Sequence, residues 1–187
     1  DSIGRGRRND PALPVLRQGT AMWSEKKMIV YGPVPSRRLG QSMGINHIPP
    51  KVCSYSCCYC QLGRTDKMQI ERQAFYPPQA IFSEVEQKLQ QLMKNGQGVD
   101  YLTFVPDGEP TLDLNLGTEI SMLKQFRKKI AVITNASLLW REDVRRDLSE
   151  ADWVSVKVDA VDVYIWRVVD RPHGALDLST ILAGVAD

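Results

Sequence analysis

The sequence predicts an α/β fold built on a parallel sheet. Three observations carry that expectation. Short runs rich in β-branched and aromatic residues alternate with longer stretches whose apolar residues recur every three or four positions. Each strand-like run ends in polar or flexible residues. No run approaches the length of about 18 apolar residues that a membrane span needs. Alternation of this kind winds strands in parallel through right-handed crossovers. With 187 residues, 43% of them hydrophobic and 25% charged, the chain is long enough for one sizeable core.

Residues 1–27 carry Gly, Arg, Pro and Asn without an apolar period, so they read as a basic, disordered lead-in to a domain spanning 28–187. The net charge of +2 is too small to argue for nucleic acid. The cations are uneven, however: Arg5, Arg7, Arg8, Arg17, Lys26, Lys27, Arg37 and Arg38 crowd the first forty positions. Such an arm suits either RNA contact or plain solvation.

Prolines and glycines between Tyr31 and Gly40 exclude a long regular element there, and the first strand is expected over Ser42–Ile48, stopped by Pro49 and Pro50. Residues 61–76 show no periodicity. Pro77 and Pro78 are placed to open a helix whose apolar stripe is Ile81, Phe82, Val85, Leu89, Leu92 and Met93, with Asn95 and Gly96 as its stop. A buried strand follows at Tyr101–Val105. The pattern then repeats: a helix over 116–128, a strand Ile130–Ile133, a helix over 141–149 and a strand Trp153–Val158. A broken helical stretch at Val163–Val169 and a helix from Leu178 close the series.

The chemistry concentrates in Cys53-Ser54-Tyr55-Ser56-Cys57-Cys58-Tyr59-Cys60, which holds all four cysteines of the chain. Read as C-x3-C-x2-C, the loop points three thiolates at one centre, and thiolates bind soft metals and iron-sulfur clusters. Three ligands of a [4Fe-4S] cube leave its fourth iron open for chemistry. Zinc is the competing reading. It wants four ligands, for which Cys58 or His47 is available, although adjacent Cys57 and Cys58 do not easily face one small ion. Disulfides within eight residues would close only tiny strained loops.

At these residues the sequence resembles the radical S-adenosylmethionine (SAM) superfamily, in which an aromatic residue precedes the last cysteine, as Tyr59 does here. The likeness extends to Tyr31-Gly32-Pro33-Val34-Pro35-Ser36-Arg37-Arg38-Leu39-Gly40, to Gly44-Ile45-Asn46, to Cys60-Gln61-Leu62-Gly63-Arg64-Thr65 and to Val105-Pro106-Asp107-Gly108-Glu109-Pro110-Thr111-Leu112. These segments resemble an iron-sulfur oxidoreductase-like subgroup, loosely related to enzymes of tRNA wyosine synthesis. The resemblance implies a partial parallel (β/α) barrel of six units, of which about four are present, so the chain is expected to be the N-terminal part of a longer core.

It also implies a [4Fe-4S] cluster on Cys53, Cys57 and Cys60, and SAM bound at the open iron and cleaved reductively to a 5'-deoxyadenosyl radical. The implied cofactor contacts are Tyr59 against the adenine, the Asp107-Gly108-Glu109-Pro110 turn at the methionyl ammonium, and Thr134 and Asn135 at the carboxylate or ribose. Lys157 and Asp159 join them if their side of the last strand faces inward; if it does not, they face the helices, a costly place for a lysine. An electron donor such as flavodoxin or ferredoxin is the implied partner, the substrate is not readable, with RNA and protein both open, and no membrane is involved. A reducing, cytoplasmic location fits clustered thiols. The reading from another class is a zinc-binding module that touches RNA without redox catalysis. Arg37, Arg38, Arg171 and His173 suit an anion site near the rim or ordinary solvation, and carry no assigned role.

Overall fold

The computed structural model describes residues 29–187, and the expected lead-in at 1–27 lies outside the described residues. The described residues form seven strands, four of them at the expected apolar runs: β1 (Val30–Ser36), β2 (Gly40–Ile45), β3 (Val52–Cys53), β4 (Lys67–Met68), β5 (Tyr101–Phe104), β6 (Lys129–Thr134) and β7 (Trp153–Val156). Five helices separate or follow them: α1 (Pro78–Lys94), α2 (Leu116–Leu123), α3 (Glu142–Ser149), α4 (Val163–Val169) and α5 (Leu178–Ala186). The main sheet runs β1-β2-β5-β6-β7, and β3 pairs with β4 in a separate two-stranded ribbon. From β2 to β7 every pairing is parallel, with α1, α2 and α3 in the crossovers. The parallel α/β fold expected from the alternation is present as an open sheet.

The register explains the core. Ile45, Phe104, Val132 and Val154 lie side by side across four strands, and Met43, Leu102 and Ile130 form the next row. Parallel strands covered by helices are buried, so their rows are filled with large apolar residues. Ile81, Val85 and Leu92 of α1, Leu116, Ile120 and Leu123 of α2, and Val144 and Leu148 of α3 pack against these rows in one cluster. Full burial of Phe104 alone is worth roughly 2–3 kcal/mol.

Three expectations need correction. Tyr31–Gly40 was to lack a long regular element, yet β1 occupies most of it, antiparallel to β2. The pairing shifts between Tyr31 and Val34, so a bulge absorbs Gly32 and Pro33, and an edge strand tolerates the missing proline donors. β2 ends at Ile45, three residues before the expected Ile48. The helix expected over 116–128 stops at Leu123 and tightens into a 3₁₀ turn, Lys124–Phe126, where Phe126 stacks on Phe82 of α1 with ring centroids 4.7 Å apart. The bounds of α4 agree with the sequence reading. β7 is the last strand of the sheet, and Val163, Tyr164, Ile165 and Val168 of α4 are exposed.

One buried cation ties the aperiodic return, 61–76, to α3. Arg72 has a nearly inaccessible side chain; its Nη1 lies 2.9 Å from Asp143 Oδ2, and its Nη2 lies 2.5 Å from Asp147 Oδ2 and donates to the Asp113 carbonyl at 2.7 Å. Both carboxylates sit on α3, one turn apart, so the arginine staples an irregular segment to a helix. The Arg141 guanidinium first, and Arg72 after it, hold the Asp143 carboxyl well below the usual carboxylate range. A depressed folded-state pKa stabilises the fold above the unfolded value of about 4 and loses that contribution as pH falls through the folded value. Asp143→Asn should therefore be less stable than the parent at neutral pH, with a gap that narrows as pH is lowered from about 4. Denaturant titrations at a series of pH values check this, and a gap that stays constant down to strong acid would contradict it.

Candidate functional site

Parallel strands present their carboxyl ends on one edge, where loops gather functional groups. Here that edge receives the cysteine loop, the turn after β5, the turn after β6 and the segment after β7. The loop starts in β3 and is held from outside by the segment after α4. Ser56 N donates to the Asp170 carbonyl at 3.0 Å, Cys58 N to the Val169 carbonyl at 2.8 Å, and His173 N to the Ser54 carbonyl at 2.9 Å. Trp166 Nε1 donates to Tyr55 Oη at 3.1 Å inside a small second core that includes Leu176, Leu178 and Ile181. A loop pinned on both flanks presents its thiols in a fixed geometry.

Cys53, Cys57 and Cys60 line one cavity of about 240 Å³, together with Tyr31, Asp107 and Gly108. Cys58 is exposed and lies outside that wall. Burial pushes the Cys53 thiol up to about 12, helped by the nearby Glu109 charge, and pushes the Cys57 thiol up to about 11. Neutral thiols are thus favoured until a metal binds, because coordination deprotonates a thiol outright. Three sulfur donors around one cavity, with a glycine and a carboxylate also in its lining, suit a thiolate-bound metal or cluster.

The turn after β5 is shaped by contacts at each residue. Asp107 N donates to Asn46 Oδ1 at 2.8 Å, and Asn46 Nδ2 donates to Asp107 Oδ2 at 3.1 Å. Gly108 passes so close to β3 that a Cβ there would lie 2.1 Å from the Val52 carbonyl oxygen. Glu109 is buried. Its Oε1 accepts from Thr111 N at 3.1 Å, Thr111 Oγ1 at 2.6 Å and Thr134 Oγ1 at 2.5 Å, and its Oε2 accepts from Asn135 N at 2.8 Å. Burial raises its pKa against these donors. Glu109, Pro110 and Thr134 therefore lie beneath the rim, tying strand ends together, while Asp107 and Gly108 face the cavity.

Asn135 reaches the cysteine loop itself: its Nδ2 donates to Ser54 Oγ at 3.0 Å and lies 3.6 Å from Cys53 Sγ. Lys157 and Asp159 line a narrow cleft beside the cavity, with Asn135, Tyr55 and Asp170. Lys157 Nζ is 2.7 Å from Asp159 Oδ2, 3.2 Å from Asp170 Oδ1 and 3.9 Å from Cys57 Sγ. Burial works to lower the lysine pKa, but hydrogen bonds to Asp159 and Tyr59 outweigh it, so the ammonium stays charged. Tyr59 is 52% exposed, donates its hydroxyl to Asp159 and carries the Lys157 ammonium 5.1 Å from its ring centroid.

The sequence reading did not single out Asp170, which is 2% exposed and accepts from both Lys157 and the Cys57 thiol. Nor did it single out Asn46 as the clamp on Asp107, although Asn46 stands in one of the resembling segments. Arg37 and Arg38, read as suiting either an anion site near the rim or ordinary solvation, are exposed in the turn that leads into β2, at the amino ends of the parallel strands. Arg171 and His173 line a separate groove with Trp166 and Gly174. The larger cavity of about 550 Å³, between the end of α1 and Phe126, has no cysteine or histidine in its wall.

Comparison with known proteins shows the family and a shared fold. The family model of the Radical SAM superfamily matches residues 48–183. A UPF0026 protein of Methanocaldococcus jannaschii is 58% identical over 157 residues, covering 84% of this chain and 48% of the relative. A UPF0026 protein of Synechocystis is 39% identical over 158 residues, covering 83% and 57%. Among solved structures, TYW1 with a lysine-pyruvate adduct bound aligns with a TM-score of 0.53 at 14% identity, over 77% of this chain and 49% of that one, which shows a shared fold. The chain spans about half the length of these UPF0026 relatives.

The approach of Gly108 to Val52 is a sharp constraint, since the obstacle is backbone rather than a mobile side chain. Gly108→Ala is expected to displace the turn and lose roughly 1–3 kcal/mol of stability, as overpacked sites do. Denaturant unfolding measures it, and an alanine variant as stable as the parent would show that the two backbones are not in contact.

Proposed function

The chain belongs to the radical SAM superfamily, and from that premise we propose that Cys53, Cys57 and Cys60 hold a [4Fe-4S] cluster beside a site for SAM. The observation that carries this reading is the shared cavity: three thiols, Asp107 and Gly108 line it, and Cys58 does not. The bound cluster and SAM would supply one-electron reductive cleavage of a sulfonium carbon-sulfur bond, the electron coming from a donor such as flavodoxin or ferredoxin, and hydrogen abstraction from a substrate of RNA or protein. The cytoplasm is the reducing compartment such thiols need.

The chain's own residues have distinct tasks. The Asn135 amide, close to Cys53 Sγ, and the Lys157 ammonium, close to Cys57 Sγ, stabilise sulfur that carries negative charge. Asp107 offers a carboxylate to a ligand ammonium at the cavity wall, held in place by Asn46. Gly108 lets a ligand approach the backbone closely. Glu109 and Thr134 position the two turns without facing the cavity. Tyr59, already beside Lys157 and Asp159, is a lid over the cleft next to the cysteines and is the residue to move against an adenine.

The zinc-module reading, which looked to Cys58 or His47 for its fourth ligand, finds neither at this cavity. Cys58 is exposed outside the wall, and His47 is buried elsewhere with Nε2 3.3 Å from the Pro110 carbonyl oxygen. Anaerobic reconstitution with iron and sulfide tests the ligand set. The parent and Cys58→Ala should each bind about four irons per chain, and Cys53→Ala, Cys57→Ala and Cys60→Ala should lose the cluster. Reduction with dithionite in the presence of SAM should then give 5'-deoxyadenosine only where the cluster is intact. Loss of iron from Cys58→Ala as complete as from the other three would overturn the assignment, and a brown protein that makes no 5'-deoxyadenosine would overturn the cleavage activity for this chain.

A further inference from the structure

We propose that His47, Asp113 and Glu119 form a second, fully buried metal site, which takes one divalent cation of the zinc or manganese kind through nitrogen and oxygen. The three side chains come from three segments: just after β2, just after the 3₁₀ turn Pro110–Leu112, and from α2. A ring nitrogen of His47 and one carboxylate oxygen from each acid lie within 4.8 Å of one another. Ligands at about 2.1 Å from one ion stand about 3.4 Å apart in a tetrahedral arrangement, so the group has to contract from separations of up to 4.8 Å to close on a metal.

Burial supplies the independent observation. The three residues are 0%, 0% and 1% exposed. Asp113 Oδ1 accepts from Asn115 N at 2.8 Å, but Asp113 Oδ2 and both oxygens of Glu119 have no hydrogen-bond partner. Buried polar atoms are almost always paired, and three orphaned carboxylate oxygens converging beside an imidazole are a donor set that calls for a cation. The nearest cationic side chain does not answer it. Arg72 reaches only the Asp113 backbone carbonyl, and its charge is already balanced by Asp143 and Asp147. The alternative is a proton shared between the two carboxyls.

The location says what the ion would do. His47 Nε2 lies 3.3 Å from the Pro110 carbonyl oxygen, to which Asp113 N donates at 3.2 Å, and the imidazole meets Phe104 edge-on at 4.9 Å. A cation here clamps the end of β2, the far side of the Asp107–Pro110 turn and α2 into one unit. With no exposed face it is a structural ion, acquired as the chain folds, and the unpartnered His47 Nδ1, Asp113 Oδ2 and both Glu119 oxygens supply four donors. Nitrogen and oxygen donors also separate it chemically from the thiol cavity.

The test separates the two sites. The chain with Cys53, Cys57 and Cys60 all changed to Ala is unfolded in denaturant with EDTA, refolded with Zn²⁺ or Mn²⁺ in separate samples, exchanged into EDTA and analysed for metal. About one ion per chain should survive exchange, and Glu119→Gln or Asp113→Asn should weaken retention about tenfold or more. Refolding with Co²⁺ should give visible bands without thiolate-to-cobalt charge transfer. A folded protein that retains neither metal, or retention indifferent to both substitutions, overturns the proposal. Should the triple variant fail to fold, Glu119→Gln in the otherwise unaltered chain decides the matter. Loss of a metal-dependent rise in melting temperature supports the site, and a melting temperature equal to the parent's with and without added metal identifies a shared proton instead.

Discussion

The buried carboxylate of Glu109 is the interaction on which the rim depends. It accepts four hydrogen bonds from the turn after β5 and the turn after β6, joining the ends of two neighbouring parallel strands. A parallel ladder sets the spacing of its strands but leaves the loops beyond them free, so the geometry of the edge has to come from side chains. Glu109 fixes Thr134 and Asn135; Asn135 in turn reaches Ser54 and Cys53, and Ser54 Oγ sits 2.5 Å from Ser137 Oγ. One buried anion therefore transmits the register of the sheet into the position of a thiol. Removing the carboxylate would leave the Thr111 and Thr134 hydroxyls and two backbone N–H groups without their acceptor, so the network resists partial change.

A second device works from the other flank. Lys157 leaves β7 just after its backbone N donates to the Thr134 carbonyl, the last ladder bond of that pair. Its ammonium then meets Asp159, Asp170 and the Cys57 sulfur at once. A half-buried lysine surrounded by two carboxylates, a phenol and a thiol is not a stability device first, since ion pairs that are taken out of water return little of what desolvation costs. Its value lies in electrostatics. The same burial that raises the Cys53 and Cys57 thiols makes negative sulfur costly, and a fixed positive charge 3.9 Å from one of them offsets part of that cost.

These features differ in how far the sequence reveals them. Strand and helix alternation comes through because periods of two and 3.6 are local, and the seven residues of α4 were legible down to their ends. The cysteine spacing is local as well. β1 was hidden because Gly32 and Pro33 mimic a break, and only its partner strand shows that a bulge absorbs them. Glu109 was legible as an acidic member of a rim turn, but its direction was not: the same residue can face a ligand or the strand beneath, and the hydroxyls of Thr111 and Thr134 decide. Arg72 and Asp170 had no local signature at all. Their partners lie more than 70 residues away in the case of Arg72 with Asp143, and more than 100 in the case of Asp170 with Cys57, distances over which composition carries no information.

The same reasoning separates the two places where ionisable groups collect. The thiol cavity reaches solvent at the exposed Cys60 and is lined also by Tyr31, Asp107 and Gly108; its groups are held by neighbours but not consumed by them. The His47, Asp113 and Glu119 group is closed, packed among Phe104 and the apolar rows, and three of its four carboxylate oxygens are neither exposed nor paired. An open group can exchange ligands and so can turn over. A closed group can only contribute to the energy of the folded state, by holding elements whose own contacts are short. The turn that carries Asp107 and Gly108 is such an element, with one face on the cavity and the other against the buried group, so the packing behind the wall sets how firmly the wall presents its ligands.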